Sequence, residues 1–353
     1  MKIKNASFAL AALALSLFAS PSAQTCSRIL WSDSGKGVVV GRTMDWFEDT
    51  KTNLWIFPRG LEHDGGVGEN SLHWKSKYGS VVAPIYDIAT TDGINEKGLS
   101  ANLLYLTESD YGKRDVKIPG MSIAFWAQFF LDSFATVDEA VKYMEINPLQ
   151  LVEVKVGSTG AAGTGHLAIS DPTGDSAVFE YLDGKLKMYH GKQYQVMTNS
   201  PPYEEQLKNL KKYKGFGGNK PLPGSSDAAD RFVRAATYLK DLPTPTDDRE
   251  NIAYLLSVVR DVSAPFGVSE PGKPNIAATR WRTVIDMTDK VYYFESTINP
   301  TIVWIDLNKV NFKAGAPVKE LNLVLQPDHI GDVSTEFVTA KPFTFLTPTL
   351  SSN

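Results

Sequence analysis

The only thiol in this sequence belongs to Cys26, which follows Ala23-Gln24-Thr25 and precedes Ser27-Arg28. A lone cysteine has no internal disulfide partner, which leaves a buried bystander, an intermolecular link or a reactive group. Position favours the third. If proteolysis ends at Thr25, Cys26 becomes the first residue. Its thiol, with an ordinary pKa of about 8.5, then shares a residue with a free α-amine of about 7.7–8, which can take its proton near neutrality. Nucleophile and base sit together without a histidine, an established form of covalent catalysis. Left inside the chain, Cys26 has only a non-basic peptide nitrogen, so this reading requires cleavage and an inactive precursor.

Residues 1–23 read as a signal peptide, with Lys2 and Lys4 as the positive start and an apolar run over 8–18. That run of about eleven residues is well short of the roughly 20 that span a bilayer. The expectation is an exported chain with no membrane anchor, in which Gln24-Thr25 forms a residual pro-segment removed by a second, self-catalysed trimming. A lipidated cysteine is the alternative, but its signal wants a large aliphatic residue and a small one where Ala23 and Thr25 stand. The formal net charge of −4 becomes −6 once Lys2 and Lys4 leave. Scattered basic residues on an acidic chain give no footprint for nucleic acid.

His63, His73, His166, His190 and His329 include no pair at the spacing of zinc proteases, so no metal and no other cofactor is expected. A dyad of Cys26 with one of these histidines is the alternative to the amine mechanism. Residues 157–165 are glycine-rich but lack the Lys-Ser/Thr ending of a phosphate loop.

The elements that must position Cys26 start with a hairpin. Residues 26–31 and 38–46 are apolar or β-branched on either side of Asp33-Ser34-Gly35-Lys36-Gly37, and the return strand brings Arg42 and Asp45 back to Cys26. Residues three apart on a regular strand face opposite sides. Both can reach the amine only if the strand ends near Thr43 or bulges, which Gly41 would permit.

Strands are expected at 53–57, 81–88 and 99–106, with 61–70 as loop and 92–98 as a tight connection. Tyr105 falls at a strand end. Helices are expected from Ser122 through Leu131 and, after a Thr136-Val137-Asp138-Glu139 capping box, to Ile146. Strands return over 151–198, Asn199-Ser200-Pro201-Pro202 opens a helix over 203–213, and further helices cover 227–239 and 249–262. Strands at 283–286, 291–295, 302–306 and 321–325 close the chain. No linker or repeat divides it, so residues 26–353 read as one α+β domain with two antiparallel sheets between helical layers.

Five ordered blocks resemble the choloylglycine hydrolase family of N-terminal-nucleophile amidases. They are Cys26-Ser27-Arg28 after a leader, Gly41-Arg42-Thr43-Met44-Asp45-Trp46, Asp92-Gly93-Ile94-Asn95-Glu96-Lys97-Gly98-Leu99, Thr198-Asn199-Ser200-Pro201, and Leu222-Pro223-Gly224 followed by Arg231-Phe232-Val233-Arg234. The resemblance spans nearly the whole chain after the leader and falls nearest the exported penicillin V acylases of Gram-negative bacteria. It implies the αββα sandwich of N-terminal nucleophile hydrolases, a periplasmic or secreted location and a homotetramer. It also implies roles: Cys26 as nucleophile and base, Asp45 accepting from its amine, and Arg42 and Arg231 beside the thiolate, lowering its pKa. Asn199 and a donor at position 105 would meet the oxyanion. Bile salt hydrolases usually carry Asn at that position, whereas this chain has Tyr105.

The implied reaction is hydrolysis of a small linear amide. Penicillin V and long-chain N-acyl homoserine lactones are the expected substrates and conjugated bile acids the alternative. Trp46, Tyr86, Phe125 and Trp126 are the aromatic candidates for the acyl pocket. A non-catalytic exported binding protein, with Cys26 merely buried, is the reading from a different class.

Overall fold

The computed structural model describes residues 26–158, 160–267, 277–299 and 301–349, so the expected leader over 1–23 and Gln24-Thr25 lie outside the described residues. Strand β1 (Ser27–Trp31) pairs antiparallel with β2 (Val39–Asp45), and every residue of both is buried. β1 lies between Val196–Thr198 and β2, and β2 lies between β1 and Thr279–Asp286, in the middle of a seven-stranded sheet. A nine-stranded sheet faces it, with Ser80–Ile85, Ala89–Asn95, Ser100–Leu104 and His166–Ser170 side by side at its centre.

Helices cover both outer faces. On the nine-stranded sheet lie α1 (Trp126–Ser133), packed on Ala89–Asn95 and Ser100–Leu104, and α2 (Val137–Ile146). On the seven-stranded sheet, α4 (Ala228–Asp241) packs on β1 and α5 (Asp248–Asp261) on β2, with α3 (Tyr203–Leu210) beside α4. The expected αββα layering is therefore observed. Strands buried on both faces read as continuous apolar runs, and Ile29-Leu30-Trp31 is one.

Gly41 has a different task from the one its sequence context suggests. β2 runs unbroken against β1, and the bulge lies instead on the neighbouring strand, between Thr279 and Trp281. A Cβ at Gly41 would come within 2.5 Å of Val259 Cγ2 and 3.5 Å of Leu255 Cδ2, so the glycine lets α5 press onto the sheet. Other boundaries differ as well. Ala89–Asn95 is a strand where 92–98 read as a connection; the turn-forming Asp92 and Asn95 are inside the protein, holding side-chain and main-chain partners. The glycine-rich stretch from 61 to 70 carries the first strand of a small hairpin, Glu62–Asp64 with His73–Lys75. Near the end, Lys319–Leu321 is the strand and 322–325 is not.

A Gly41→Ala substitution is expected to cost about 1–3 kcal/mol through overpacking against α5, read as a lower midpoint of denaturant unfolding. An unchanged midpoint would show that α5 yields freely.

Candidate active site

Cys26 stands just ahead of β1, at the point where the two sheets and α4 converge, and is 2% exposed. Its two ends have different neighbours. The thiol lies 3.5 Å from Arg42 Nη2 and 3.9 Å from both Met44 Sδ and the Asp45 carbonyl oxygen. The Cys26 N–H donates to Asn199 Oδ1, and the Cys26 carbonyl accepts from Arg231 Nη1 at 2.9 Å.

Arg42 and Asp45 take opposite faces of β2, as a regular strand requires. Arg42 and Met44 point toward the nine-stranded sheet. There Arg42 donates to the carbonyls of Thr91 (2.6 Å) and Leu103 (3.2 Å) and lies 4.0 Å from the Asp92 carboxylate. Thr43 and Asp45 point toward α4. Asp45 accepts from Thr279 Oγ1 at 2.6 Å and Thr43 Oγ1 at 3.2 Å, and Arg231 Nη1 is 3.5 Å away. No bulge in β2 is needed, because sulfur meets one face of the strand and the nitrogen and carbonyl meet the other.

Arg231 comes from the first turn of α4 and is completely buried. Besides Cys26 and Asp45, its guanidinium reaches Ser27 Oγ (2.5 Å), Asn199 Oδ1 (3.2 Å) and the Ser226 carbonyl (3.0 Å). Asn199 follows strand Val196–Thr198, which pairs with β1, so register holds it beside Cys26. Its Nδ2 donates to the Tyr105 carbonyl at 2.6 Å. An amide carries two N–H donors, so one remains for another acceptor.

Electrostatics at the site run against the simplest expectation. Burial pushes the Cys26 thiol up; Arg42 pulls it down, Asp45 pushes it up, and Arg231 adds a weaker downward pull. The two arginines offset desolvation without overcoming it. Burial likewise raises the Asp45 carboxyl to about 6, opposed by Arg231, the Thr279 and Thr43 hydroxyls and Arg42.

The thiol opens on an apolar pocket of about 70 Å³ whose walls include Met44, Trp46, Leu103, Tyr105, Ile123 and Val156. Ligand pockets commonly hold about 300–1,000 Å³. A space of that size takes only the inner end of an acyl group. Of the four aromatic candidates only Trp46 lines it. Tyr86 stands one layer out, its hydroxyl accepting from Trp46 Nε1 at 2.7 Å and donating to Glu48 at 2.5 Å. Phe125 stacks on Phe345 at 4.1 Å, and Trp126 is a core residue against Tyr181. The aliphatic residues of that apolar wall are not marked in the sequence, since Ile123 or Val156 carries no chemistry that distinguishes it from core. Thr279 and Thr43, which hold Asp45, were equally silent. Among the described residues no histidine contacts Cys26 or lines its pocket, and no cluster of His, Cys, Asp and Glu could hold a metal.

Two sheets face to face with helices outside, and a buried cysteine beside two arginines where the sheets meet, have the αββα layering of the N-terminal nucleophile hydrolases. Comparison with known proteins narrows this. Residues 26–322 match the model of the linear amide C–N hydrolases, choloylglycine hydrolase family. The chain is 45% identical over 368 residues to penicillin V acylase of Pectobacterium atrosepticum, covering 98% of each. The structure of penicillin V acylase from Agrobacterium tumefaciens superposes with a TM-score of 0.83 at 48% identity, over 91% of this chain and 100% of that one. A conjugated bile acid hydrolase from Clostridium perfringens shares the fold at a TM-score of 0.69 and 22% identity, over 84% of this chain and 96% of that one. The chain therefore belongs to the choloylglycine hydrolase family of linear amide hydrolases.

Below pH 6 Asp45 takes up a proton and its pairing with Arg231 is lost. The sign follows: activity that needs the carboxylate falls as pH drops through that value. The specificity constant for amide hydrolysis should fall about fivefold or more from pH 6 to pH 5. A constant value over that unit would separate Asp45 ionisation from turnover.

Proposed function

We propose that this chain hydrolyses linear amides joining an apolar acyl group to a polar amine, with Cys26 as an N-terminal nucleophile exposed by removal of everything through Thr25. Penicillin V and long-chain N-acyl homoserine lactones are its proposed substrates, the latter in the periplasm of a Gram-negative bacterium and by a homotetramer. The relatives named penicillin V acylase support the first substrate. A single observation carries the mechanism: the sulfur and nitrogen of Cys26 are held separately, one by Arg42 at the mouth of an apolar pocket, the other by Asn199 beside Arg231 and Asp45.

The free Cys26 amine removes the thiol proton, and the thiolate attacks the substrate carbonyl carbon. The resulting oxyanion accepts from the second N–H of Asn199 and from the main-chain N–H of Tyr105. The ammonium returns its proton to the departing nitrogen as the C–N bond breaks, leaving a thioester on Cys26. Water then gives a proton to the amine, attacks the thioester carbonyl and expels the thiolate, which recovers the proton. Arg42 compensates sulfur charge that burial disfavours, and a cationic amine formed by trimming would add to it. Asp45 and Arg231 orient the amine.

Loss of one oxyanion donor typically costs about 10²–10³ in rate. Asn199→Ala should lose that much kcat with the fold intact by circular dichroism; wild-type turnover would remove Asn199 from the mechanism. Specificity constants for penicillin V, decanoyl homoserine lactone and glycocholate test the substrate assignment. The first two should lead, and glycocholate in first place would replace this reading by bile-acid hydrolysis.

A further inference from the structure

Three successive residues of strand Thr279–Asp286 each hold a different part of the active site. The strand's bulge beside β2 turns neighbouring side chains out of strict alternation. Thr279 holds the Asp45 carboxylate. Arg280 donates through Nε and Nη2 to the carbonyls of Trp46 and Phe47, both at 2.8 Å. The Trp281 indole lies 4.9 Å from the centre of the Arg42 guanidinium, and its N–H meets the hydroxyls of Thr50 and Thr52 at 3.2 and 3.1 Å.

Arg280 and Trp281 also wall a separate cavity of about 550 Å³, against about 70 Å³ at Cys26. That is the size of a site for an organic ligand. Trp281, Phe294 and Val303 form a buried floor, and its open apolar surface comes from Leu323 with Ile298 and Val324 at the edge, the last two 72% and 41% exposed. Its acidic side chain among the described residues, Asp49, is already engaged by Lys51 at 2.7 Å. Arg280 therefore tips the lining toward positive charge. An apolar body with one negative head matches these features; a cation does not.

We propose that this cavity is a second ligand site for an amphipathic monocarboxylate, whose tail lies along Leu323 and Val324 over the buried floor and whose carboxylate lies at Arg280. Occupancy acts on the reaction through the two residues shared with the active site: Arg280, which fixes the main chain at the pocket residue Trp46, and Trp281, which lies against Arg42. Acids of this kind are also the acyl products of the hydrolysis proposed above, which makes the site one of product feedback; that point alone rests on the proposed reaction.

The probe is monomeric decanoate. Cys26 is first alkylated with a phenyl-bearing iodoacetamide to fill the acyl pocket, and decanoate is titrated by calorimetry. One equivalent should bind, Val324→Glu should weaken binding about tenfold by like-charge repulsion at the rim, and decyltrimethylammonium should not bind. No binding to the alkylated protein, indifference to Val324→Glu, or equal binding of the cation would each overturn the site. In unmodified protein at saturating amide, decanoate should change kcat about twofold or more and Val324→Glu should abolish the change; an unaltered kcat would overturn the coupling. Failure of the proposed reaction shows separately, as absence of amide hydrolysis without decanoate.

Discussion

Arg231 is the residue on which this site depends. One guanidinium, buried completely in the first turn of α4, touches the Cys26 carbonyl, the Ser27 hydroxyl, the Asn199 side chain and the Asp45 carboxylate. Those partners come from β1, from β2 and from the loop after Val196–Thr198, so a single cation fixes the relative position of three neighbouring strands. Burial costs both charges dearly; it lowers the Arg231 pKa and raises that of Asp45, and each partner opposes the other's shift. A buried pair of this kind adds little net stability, yet removing one partner strands the other at a cost of about 3–5 kcal/mol. What the pair provides is position.

Arg42 plays the complementary part on the other side of β2. It too is fully buried, tied to the carbonyls of Thr43, Thr91 and Leu103, near Asp92 and beside Trp281, with one nitrogen left facing sulfur. Asp92 is in turn held by Asn102 and Tyr292. Cys26 is thus placed between two buried, independently supported cations. A strand that alternates strictly is enough to deliver Arg42 and Asp45 to its two faces, because Cys26 precedes β1 and offers its sulfur to one face and its backbone to the other.

Much of this was legible in the sequence. Cys26, Arg42 and Asp45 were singled out by residue type and hairpin position, Asn199 and Arg231 by the family resemblance, and the structure brings all five together. The layering followed from alternating strand and helix patterns. Residues whose local preference lost to tertiary context were less readable. Asp92 and Asn95 look like turn formers but sit in a central strand, where burial supplies their partners. Gly41 looks like a bulge and is a packing contact. Tyr86, Phe125 and Trp126 are aromatic and local, but two of them pack in the core and one braces Trp46. Beside Trp46 and Tyr105 it is aliphatic residues that line the pocket, and nothing in their identity distinguishes a wall from a core.

The mechanism turns on whether the nitrogen of Cys26 is an amine or a peptide. Two preparations decide it: protein whose intact mass begins at Cys26, and the same protein retaining Gln24-Thr25 through a block on trimming, both assayed for amide hydrolysis. Turnover confined to the form that starts at Cys26, and lost from it in Cys26→Ser or on alkylation, is the expected result. Equal turnover from the extended form would mean that the base lies elsewhere and would contradict the proposed chemistry.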